Sequence, residues 1–514
     1  MMNVSNNLIA QKLNSLNAVQ QNNTVQTHSP VQTDRTMSSS NLLTDFLKNQ
    51  ALINSPVINK TNAVQNTEQV KPYKNDLRTL FTTNSAKILA IVPRIFNAKD
   101  LNGNEYIDNN EQHGTFLNAI DRLDEVKAEG FNTLHVLPIN PPGKSNAMGT
   151  AGSVYAPADM LKIDPMLIDK NDPRSDIEQF KAFVDACHNR GIRVMVDMPS
   201  CASYDLYNDK PDLMAHERNG LAKTPQGWFD IRMFQPWEDE GKRTLNPKLL
   251  EYHRKFVDML IDAGVDGIRA DVARAKPVEF WDILIPYSRK RNPEFAWLAE
   301  SYTYEDASPQ ANMPYDRPED SLRAGFDAYY GQYHIFHEWN TAKELNDYVI
   351  DNLNMSYRVE RGKSLIGSFA THDDMSPMFN GGATYCNLVS GLEVTLPMMN
   401  PYFVDGFQSG DYYNYSYKDK YSTETRTDNH EMTVHNGKLD IFNLSRKPGG
   451  NEPEIGKFMT ACLNFRDKYG EVLKRGSYIV LDKKKDPQDK VIAFARHRHG
   501  KTLLVIANKN VDRH

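Results

Sequence analysis

From residue 87 onward the sequence alternates short apolar runs with longer amphipathic runs, and this alternation constrains the fold more than any other feature. Apolar runs of this length are typical of strands buried on both faces, whereas amphipathic runs with apolar residues every three to four positions indicate helices. The pattern predicts strands over residues 87–96, 131–139, 192–200, 265–273, 294–301, 323–330, 363–372 and 392–399. It predicts helices over residues 114–130, 176–191, 247–264 and 277–290.

Repeated strand–helix units of this size build a parallel sheet with helical crossovers. Eight such units in about 320 residues predict an α/β fold, a (β/α)8 TIM barrel over residues 76–440. A short insertion, residues 201–243, follows the third predicted strand. An open doubly wound sheet is the competing layout, but no G-x-G-x-x-G sequence follows the first strand.

The two ends of the chain differ in composition from the barrel segment. Residues 1–75 are rich in Asn, Gln, Ser and Thr and poor in aromatic residues, so they cannot bury enough apolar surface to offset chain entropy. We therefore predict a disordered N-terminal arm. Residues 441–514 predict a helix followed by a small C-terminal β appendage, and the sequence leaves open whether this appendage is complete.

Charge and cysteine content exclude several classes of partner. The formal net charge is −6, and no polybasic block suggests contact with nucleic acid or with a membrane surface. The four cysteines are far apart and lack C-x-x-C spacing, which argues against a zinc site or a disulfide framework. No stretch has the length of a membrane span, and the N-terminus lacks a secretory pattern, so a cytoplasmic location is expected.

Charged residues stand at the predicted carboxyl ends of four strands. In a barrel this end carries the working residues, because apolar side chains fill the interior below it. Three carboxylates from separate strands, with an Arg and a His, suit glycoside hydrolysis: one attacks the anomeric carbon and another, protonated, donates to the departing oxygen. These residues are Asp197, Arg269, Asp271, Glu300, His372, Asp373 and Asp374.

Arg269 and Asp271 lie two positions apart, so their side chains project from the same face of the predicted strand. That face is normally buried. Burying two charges is costly unless they pair with each other or with further groups. The spacing therefore predicts a charged pair at the end of the strand that belongs to a site.

Four segments carry a resemblance to a known family: RVMVDMPS (193–200), GIRADVAR (267–274), WLAES (297–301) and SFATHDD (368–374). They resemble, in order and separation, the third-, fourth-, fifth- and seventh-strand motifs of the α-amylase family of glycoside hydrolases, glycoside hydrolase family 13. The resemblance runs from about Lys87 to about Asp411. It implies the same barrel fold and activity on α-glucosidic bonds.

The resemblance also implies roles for individual residues. The catalytic residues would be Asp271 as the nucleophile, Glu300 as the general acid/base and Asp373 as the aspartate that binds sugar hydroxyls and stabilises the transition state. Arg269 would keep the nucleophile ionised through a charge-assisted contact. The other substrate-binding residues would be His372, Tyr155, which resembles the tyrosine that stacks beneath the sugar, and Asp197.

The segment DLNGNEYIDNNE (100–111) is a candidate metal loop. It partly matches an EF-hand, but the sixth position is Glu105 where the tight turn wants Gly. Some members of the family have a calcium loop after the first barrel strand, and the resemblance implies one calcium site here. Its ligands would be Asp100, Asn102, Asn104, Asp108 and the carbonyl of Tyr106. A polar turn without metal is the alternative.

Two departures from the family pattern affect what the site is expected to bind. The family's Asn-His pair after the third strand is replaced by Cys201 and Ala202, so a second calcium site and one sugar contact are expected to be missing. The Lys-His pair after the nucleophile is replaced by Arg274 and Ala275. We therefore expect different recognition beyond the cleaved bond.

Three functions remain open at this point. The leading hypothesis is a retaining glycosidase that cleaves α-glucosidic bonds of α-glucans or maltooligosaccharides through a covalent glycosyl intermediate on Asp271. An α-glucanotransferase using the same site is the first alternative, since water and sugar acceptors compete for one intermediate. A barrel that binds glucan or protein without catalysis is the second.

Overall fold

The structure is a computed structural model, and it describes residues 73–104, 107–225, 228–301, 318–330, 336, 339–359, 364–367, 369–415, 424–427, 430–435, 437–441, 452–481 and 489–510. The chain divides into two units, Met1–Lys71 and Pro72–His514. The predicted N-terminal arm lies outside the described residues except for residues 73–75. Everything below concerns the second unit.

The second unit alternates strands and helices. The strands are β1 (Ile88–Ile91), β2 (Thr133–Val136), β3 (Arg193–Met198), β4 (Cys201–Ser203), β5 (Ile231–Met233), β6 (Trp237–Asp239), β7 (Thr244–Leu245), β8 (Gly267–Ala270), β9 (Ala296–Ala299), β10 (Ala328–Tyr329), β11 (Ser364–Ile366), β12 (Met399–Asn400), β13 (Tyr402–Val404), β14 (Glu424–Thr427), β15 (His430–His435), β16 (Ser477–Val480), β17 (Val491–Arg498) and β18 (Lys501–Asn508). The helices are α1 (Leu77–Thr82), α2 (Pro93–Phe96), α3 (Phe116–Ala119), α4 (Leu123–Ala128), α5 (Asp176–His188), α6 (Tyr204–Asp209), α7 (Pro247–Asp262), α8 (Val278–Arg291), α9 (Pro318–Ala324), α10 (Ala342–Val359), α11 (Gly382–Thr395), α12 (Pro453–Lys468) and α13 (Gly470–Arg475).

The main sheet is parallel and has the strand order β12-β11-β10-β9-β8-β3-β2-β1-β13. Its two end strands are separated by Pro401 alone, so they form one stretch of chain. Met399 pairs with Leu365 of β11, whereas Tyr402 pairs with Ile88 of β1. Because one stretch bonds to both neighbours, the sheet closes on itself, and the predicted (β/α)8 TIM barrel is confirmed.

The barrel strands β1, β2, β8 and β9 are buried at every position. Such strands contact the barrel interior on one face and the helices on the other, which explains their continuous apolar sequences. Each large apolar side chain buried there contributes about 1.5–3 kcal/mol.

Helix α7 shows how the surrounding helices are fixed locally. The side chain of Asn246 caps its N-terminus by accepting hydrogen bonds from the N–H groups of Lys248 and Leu249, at 3.1 and 3.3 Å. The helix turns back into the barrel at Gly264, whose φ of +91° favours glycine. Phe256 and Leu260 are among the side chains that it buries against the sheet.

The predicted position of the eighth strand is wrong. Residues 392–395 form the last turn of α11, and the strand begins at Met399. Helix α11 is buried along much of its length, so its sequence lacks the polar stripe that identifies most helices. A short apolar run then gives no period that separates a strand from a buried helix. Pro397, which restricts the residue before it, separates the two elements.

Four short strands between residues 201 and 245 form two small antiparallel pairs, β4 with β5 and β6 with β7. Near the C-terminus, β16, β17 and β18 form a three-stranded antiparallel sheet. The domain boundaries themselves stay predictions. Among the described helices, none combines the length and the apolarity that a membrane crossing requires.

Candidate active site

The predicted site residues stand at the carboxyl ends of adjacent barrel strands, where the strand register brings them together. Asp197 of β3 is the direct cross-strand partner of Arg269 on β8, and Arg269 is paired with Leu298 on β9. Asp271 and Glu300 follow the last residues of β8 and β9. Neighbouring parallel strands that end at one level therefore place three carboxylates around a single guanidinium.

Arg269 contacts all three of these carboxylates. Its Nη1 donates to Asp197 Oδ1 at 3.0 Å and to Asp271 Oδ1 at 2.8 Å, and its Nη2 donates to Glu300 Oε2 at 2.6 Å. Burial works against the charged guanidinium, but the carboxylates of Asp197 and Glu300 raise the pKa of Arg269 well above its ordinary value. Arg269 therefore stays charged and holds the group in place.

The carboxylate of Asp271 is anchored through both oxygens. Oδ1 accepts the hydrogen bond from Arg269, and Oδ2 accepts from the backbone N–H of Ser200 at 2.9 Å and from its hydroxyl at 2.8 Å. The Asp271 side chain is 14% exposed, whereas that of Arg269 is 1% exposed. Asp271 is thus fixed in orientation while part of its side chain stays exposed.

Glu300 is tied to the turn that follows Asp271. Its Oε2 accepts from the N–H of Val272 at 2.9 Å as well as from Arg269. Val272 has φ 35° and ψ 65°, a left-handed conformation that a β-branched residue rarely adopts and that costs about 1–3 kcal/mol. The strained turn aims the Val272 N–H at Glu300 and so couples the two predicted catalytic carboxylates.

Asp197 lies beside Arg269 and has no exposed surface. Its Oδ2 accepts from the hydroxyl of Tyr155 at 2.7 Å and lies 3.1 Å from Nε2 of His135. Burial raises the pKa of Asp197, but Arg269 and the hydrogen bond from His135 outweigh burial and lower it below the ordinary value. In the structure Asp197 supports Tyr155, His135 and Arg269 from below.

Asp373 lies beside a lysine that the sequence motifs did not identify. Lys438 Nζ is 2.5 Å from Asp373 Oδ1, and its side chain has no exposed surface. His372 Nε2 lies 3.3 Å from Asp373 Oδ2, and Nδ1 of His372 is 2.9 Å from the hydroxyl of Tyr402. Asp373 therefore has a buried cation on one side and an imidazole on the other.

The charge states in this group follow from burial and from the neighbouring charges. Burial lowers the pKa of His372 to about 3, so this imidazole is neutral at neutral pH. Burial raises the pKa of Asp373, but the electrostatic interactions with His372, Lys438 and Arg269 outweigh it and bring the pKa below its ordinary value. Burial also lowers the pKa of Lys438, although the negative charge of Asp373 opposes this shift. Asp373 and Lys438 form an ion pair.

Tyr155 joins the two groups of carboxylates. Its ring stacks on that of His372 with centroids 6.2 Å apart and planes 18° apart. The guanidinium carbon of Arg269 is 5.7 Å from the centre of the same ring. The structure therefore joins the predicted catalytic and substrate-binding residues in one network of contacts, in which buried Asp197 links Tyr155 to Arg269; the others are Asp271, Glu300, His372 and Asp373.

The segment that carries Lys438 is held by the loop that precedes Tyr155. The N–H of Val154 donates to the carbonyl of Lys438 at 3.1 Å, and the N–H of Ala151 donates to the carbonyl of Leu439 at 2.9 Å. Buried Arg94 donates to the carbonyl of Gly152 in this loop at 3.0 Å. The position of Lys438 thus depends on backbone contacts between distant parts of the chain.

The predicted metal loop is ordered by its own side chains. The amide nitrogens of Asn102 and Asn104 lie 2.8 and 3.1 Å from Asp108 Oδ2. Asp100 Oδ1 accepts from the N–H of Gly103 at 2.7 Å. The predicted ligand Tyr106 lies outside the described residues. In the described part of the chain, no three His, Cys, Asp or Glu side chains are grouped closely enough to hold a metal ion.

Sequence analysis missed two residues that contact the predicted catalytic carboxylates. Ser200 is the last residue of the quoted RVMVDMPS segment, so its contact with Asp271 could have been suspected from its place after β3. Lys438 stands in a segment, NGKLD (436–440), without any barrel motif. Nothing in that local sequence marks it as a partner of Asp373.

Comparison with known proteins found relatives in sequence, although no family model matches the chain. An α-1,4-glucan:maltose-1-phosphate maltosyltransferase of Bifidobacterium animalis subsp. lactis is 26% identical over 439 residues, which cover 78% of this chain and 53% of that protein. The same enzyme of Cereibacter sphaeroides is 28% identical over 259 residues, 48% of this chain and 36% of that protein. The chain spans at most about half the length of these curated relatives.

Solved structures with the same fold include two α-amylases. A noncanonic maltogenic α-amylase from Thermotoga neapolitana superposes with a TM-score of 0.59 at 22% identity, covering 83% of this chain and 86% of that one. An α-amylase from Lactobacillus plantarum gives a TM-score of 0.58 at 20% identity, covering 83% and 89%. These structures show that the chain shares their fold, and the closed barrel, the four strand-end motifs and the maltosyltransferase relatives support its resemblance to the α-amylase family of glycoside hydrolases.

Proposed function

We propose that this protein is a retaining enzyme that acts on α-glucosidic bonds of α-glucans or maltooligosaccharides, with Asp271 as nucleophile and Glu300 as general acid/base. The observation that carries the proposal is the contact of one guanidinium, that of Arg269, with both carboxylates. Such a contact keeps the two carboxylates close together. It is compatible with the separation of about 5–5.5 Å that retaining enzymes use.

The proposed role of general acid requires a proton on Glu300 before the first step. Arg269 contacts the carboxyl groups of Asp197, Asp271 and Glu300, and its positive charge stabilises the ionised members of this group. Asp197 is ionised because its pKa is lowered. Glu300 Oε2 accepts hydrogen bonds from Arg269 and from the N–H of Val272, which hold this carboxyl in place.

In the first step, an oxygen of Asp271 bonds to the anomeric carbon while the glycosidic C–O bond breaks. The departing oxygen takes the proton of Glu300, which leaves a β-glycosyl ester on Asp271 and an ionised Glu300. In the second step, Glu300 takes a proton from the acceptor hydroxyl as that oxygen attacks the anomeric carbon. The ester bond breaks and the α configuration is restored.

Asp373, His372 and Tyr155 would hold the sugar during both steps. Asp373 would accept hydrogen bonds from sugar hydroxyls, His372 would bond to the same ring, and Tyr155 would lie beneath it. Because Lys438 already occupies one oxygen of Asp373, a sugar hydroxyl must share this oxygen or use the other one. Lys438 thus limits which oxygen of Asp373 a sugar hydroxyl can use.

The sequence relatives favour a second candidate, transfer to a sugar acceptor. The matched proteins are α-1,4-glucan:maltose-1-phosphate maltosyltransferases, which makes maltose 1-phosphate a candidate donor and an α-1,4-glucan a candidate acceptor here. The chemistry up to the glycosyl ester is common to both candidates. They differ in whether water or a glucan hydroxyl completes the second step.

One product analysis tests both candidates. The full chain is incubated with starch, with maltoheptaose alone, and with maltoheptaose plus maltose 1-phosphate, and reducing sugar, phosphate and oligosaccharide lengths are measured. Shorter products with new reducing ends indicate hydrolysis, whereas lengthened chains indicate transfer. If wild type and Asp271→Asn release nothing from any of these substrates, the proposal fails and a glucan- or protein-binding barrel replaces it.

We also propose that the loop at residues 100–111 binds one calcium ion. The side chains of Asn102, Asn104 and Asp108 converge, and rotation of the two amides would present oxygens, which are the ligands that calcium prefers. Calcium would fix the loop, and it takes no part in the steps above. The test is a rise in Tm with added calcium that Asp108→Asn abolishes.

The expected location and partners remain part of this proposal. A cytoplasmic protein fits four free and buried cysteines. A small negative net charge fits neutral glucan partners and not nucleic acid or a membrane surface. Fractionation of cells that produce the protein tests the location.

A further inference from the structure

A buried lysine, Lys276, lies behind the carboxylate of Asp271. It follows a short helical turn, Ala273–Ala275, that begins two residues after Asp271, and 2% of its surface is exposed. Its Nζ donates to the carbonyl of Ser200 at 2.8 Å and lies 4.9 Å from the centre of the Phe234 ring. Lys276 cannot touch a bound sugar, and no role in the proposed mechanism has been given to it.

Ser200 is held between Lys276 and Asp271. Its carbonyl accepts from Lys276, while its N–H and its hydroxyl donate to Asp271 Oδ2 at 2.9 and 2.8 Å. The preceding residue, Pro199, restricts the backbone at this point. The orientation of the Asp271 carboxylate therefore depends on Ser200, and the position of Ser200 depends on Lys276.

The groups that face Lys276 come from three elements: Cys201 from β4, His253 from α7 and Asp271 from the end of β8. Burial raises the pKa of Cys201 to about 12, and burial and the Lys276 charge lower the pKa of His253 to about 3. Both groups are therefore neutral at pH 7. Of these three described neighbours, Asp271 alone carries the negative charge that balances the ammonium.

Burying an ammonium group is costly unless its charge is balanced. Burial lowers the pKa of Lys276 to about 8, and the interactions with Cys201 and Asp271 oppose this shift, so the side chain is still mostly charged at pH 7. Its described hydrogen bond goes to a carbonyl and not to a carboxylate. The charge is thus balanced across Ser200, which orders this residue between cation and anion.

We propose that Lys276 is a positioning residue that holds Ser200 against Asp271 and so orients the nucleophile. The proposal rests on the proposed function, in which Asp271 attacks the anomeric carbon. Lys276 acts through Ser200 and through its charge, and it takes no part in proton transfer. A neutral side chain of similar length at this position would leave the substrate contacts intact and misplace the attacking oxygen.

The kinetic test compares Lys276→Met with Lys87→Met on maltoheptaose. Lys87 is a matched control because it is also largely buried and paired with a carboxylate. Its Nζ lies 2.5 Å from Asp467 Oδ2, and neither residue belongs to the proposed site. We expect kcat of Lys276→Met to fall by about 10-fold to 100-fold, the size of effect that misplaced reacting groups produce, with KM changed by less than about threefold. Lys87→Met should have a lower Tm than wild type and an unchanged kcat.

A second variant keeps the test valid if Lys276→Met does not fold. Lys276→Gln retains a donor for the Ser200 carbonyl without a charge, and its kcat should lie between those of wild type and Lys276→Met. Wild-type kcat in Lys276→Met or in Lys276→Gln overturns the proposal. An equal fall of kcat in Lys87→Met also overturns it, because the effect would then reflect general destabilisation.

A thermal-unfolding cycle decides the matter even if the protein proves inactive. Tm is measured for wild type, Lys276→Met, Asp271→Asn and the double variant. If Lys276 is balanced by Asp271 across Ser200, its replacement should lower Tm less when Asp271 is already neutral. Additive shifts overturn the inference about Lys276. Inactivity of wild type on every glucan would overturn the proposed function alone.

Discussion

The two halves of the candidate site are built differently. The Asp271 half takes Asp197, Arg269 and Glu300 from strands that are neighbours in the sheet, so strand register alone brings them together. The Asp373 half depends on Lys438, which lies in a segment far along the sequence from β11, the barrel strand that precedes Asp373. Register gives the first half its geometry, whereas the second half requires long-range backbone contacts.

The two halves nevertheless share one device. Each contains a buried lysine near a carboxylate and a neutral histidine: Lys438 and His372 beside Asp373, and Lys276 near Asp271 with His253 facing Lys276. The lysine of the Asp373 half touches its carboxylate directly, whereas Lys276 acts through Ser200. A direct pair should therefore be the more sensitive of the two to loss of its cation.

The largest expected effect is on the Asp271 half. Asp271→Asn should lower kcat by about 10⁴-fold or more, because a neutral amide cannot form the glycosyl ester. Reducing-sugar release from maltoheptaose measures it. The matched control is Asp282→Asn, which changes an exposed aspartate on α8 and should leave kcat within about twofold of wild type. If kcat of Asp271→Asn falls by less than tenfold, Asp271 is not the nucleophile.

Loss of the cation in the Asp373 half should come next. Lys438→Met leaves the Asp373 carboxylate without its partner, and breaking a buried pair costs about 3–5 kcal/mol of unfolding free energy. Urea denaturation measures this. The double variant Lys438→Met with Asp373→Asn should recover much of the loss, because no uncompensated charge then remains. Equal stabilities of the single and double variants would show that the pair is not what holds Lys438.

A pH dependence of stability should appear in both halves. His372 and His253 have pKa values near 3 because of burial, against an unfolded value of about 6.5. Between these limits the unfolded chain binds more protons, so stability is lost as pH falls below about 6.5, by up to about 1.4 kcal/mol per pH unit for each histidine. Urea midpoints at several pH values measure the slope.

The variant His253→Phe separates the two contributions to that slope. It removes one of the buried histidines whose pKa is lowered and should reduce the loss of stability between pH 6 and pH 4 by the contribution of that one histidine. An unchanged slope would mean that His253 is not kept neutral in the folded state.

The smallest expected effect concerns the strained turn at Val272. Val272→Gly should relieve the cost of φ 35° and raise stability by about 1 kcal/mol or less, since glycine also gains entropy in the unfolded chain. It should lower kcat a few-fold, because the N–H that holds Glu300 becomes less fixed. His499→Gly is the control, since His499 has φ 48° in an exposed turn, and there kcat should not change.

The barrel and the Asp271 half could be predicted from sequence because both depend on local patterns. Strands buried on both faces give continuous apolar runs, and the charges that follow them mark the carboxyl ends. The eighth strand was misplaced because α11 is itself so apolar that its end resembles a strand. The catalytic roles of Asp271, Glu300 and Asp373 stay predictions until the kinetic variants are measured.

The rest of the site could not be read from sequence for a physical reason. Lys438 is held beside Asp373 by the N–H groups of Val154 and Ala151, which fix the backbone at Lys438 and Leu439, and no sequence period records such a contact. Lys276 follows Arg274 and Ala275, which replace the family's Lys-His pair, and it belongs to none of the four strand-end motifs. Its importance follows from burial, which one sequence does not display.

The way the barrel closes has a consequence during synthesis. The free edge of β1 finds its last partner only when β13 has left the ribosome, because Ile88 pairs with Tyr402. Until then, nascent chains expose an unpaired, fully apolar strand edge that other chains could join. A chaperone that shields this edge during translation should therefore raise the yield of folded protein more than one supplied after release.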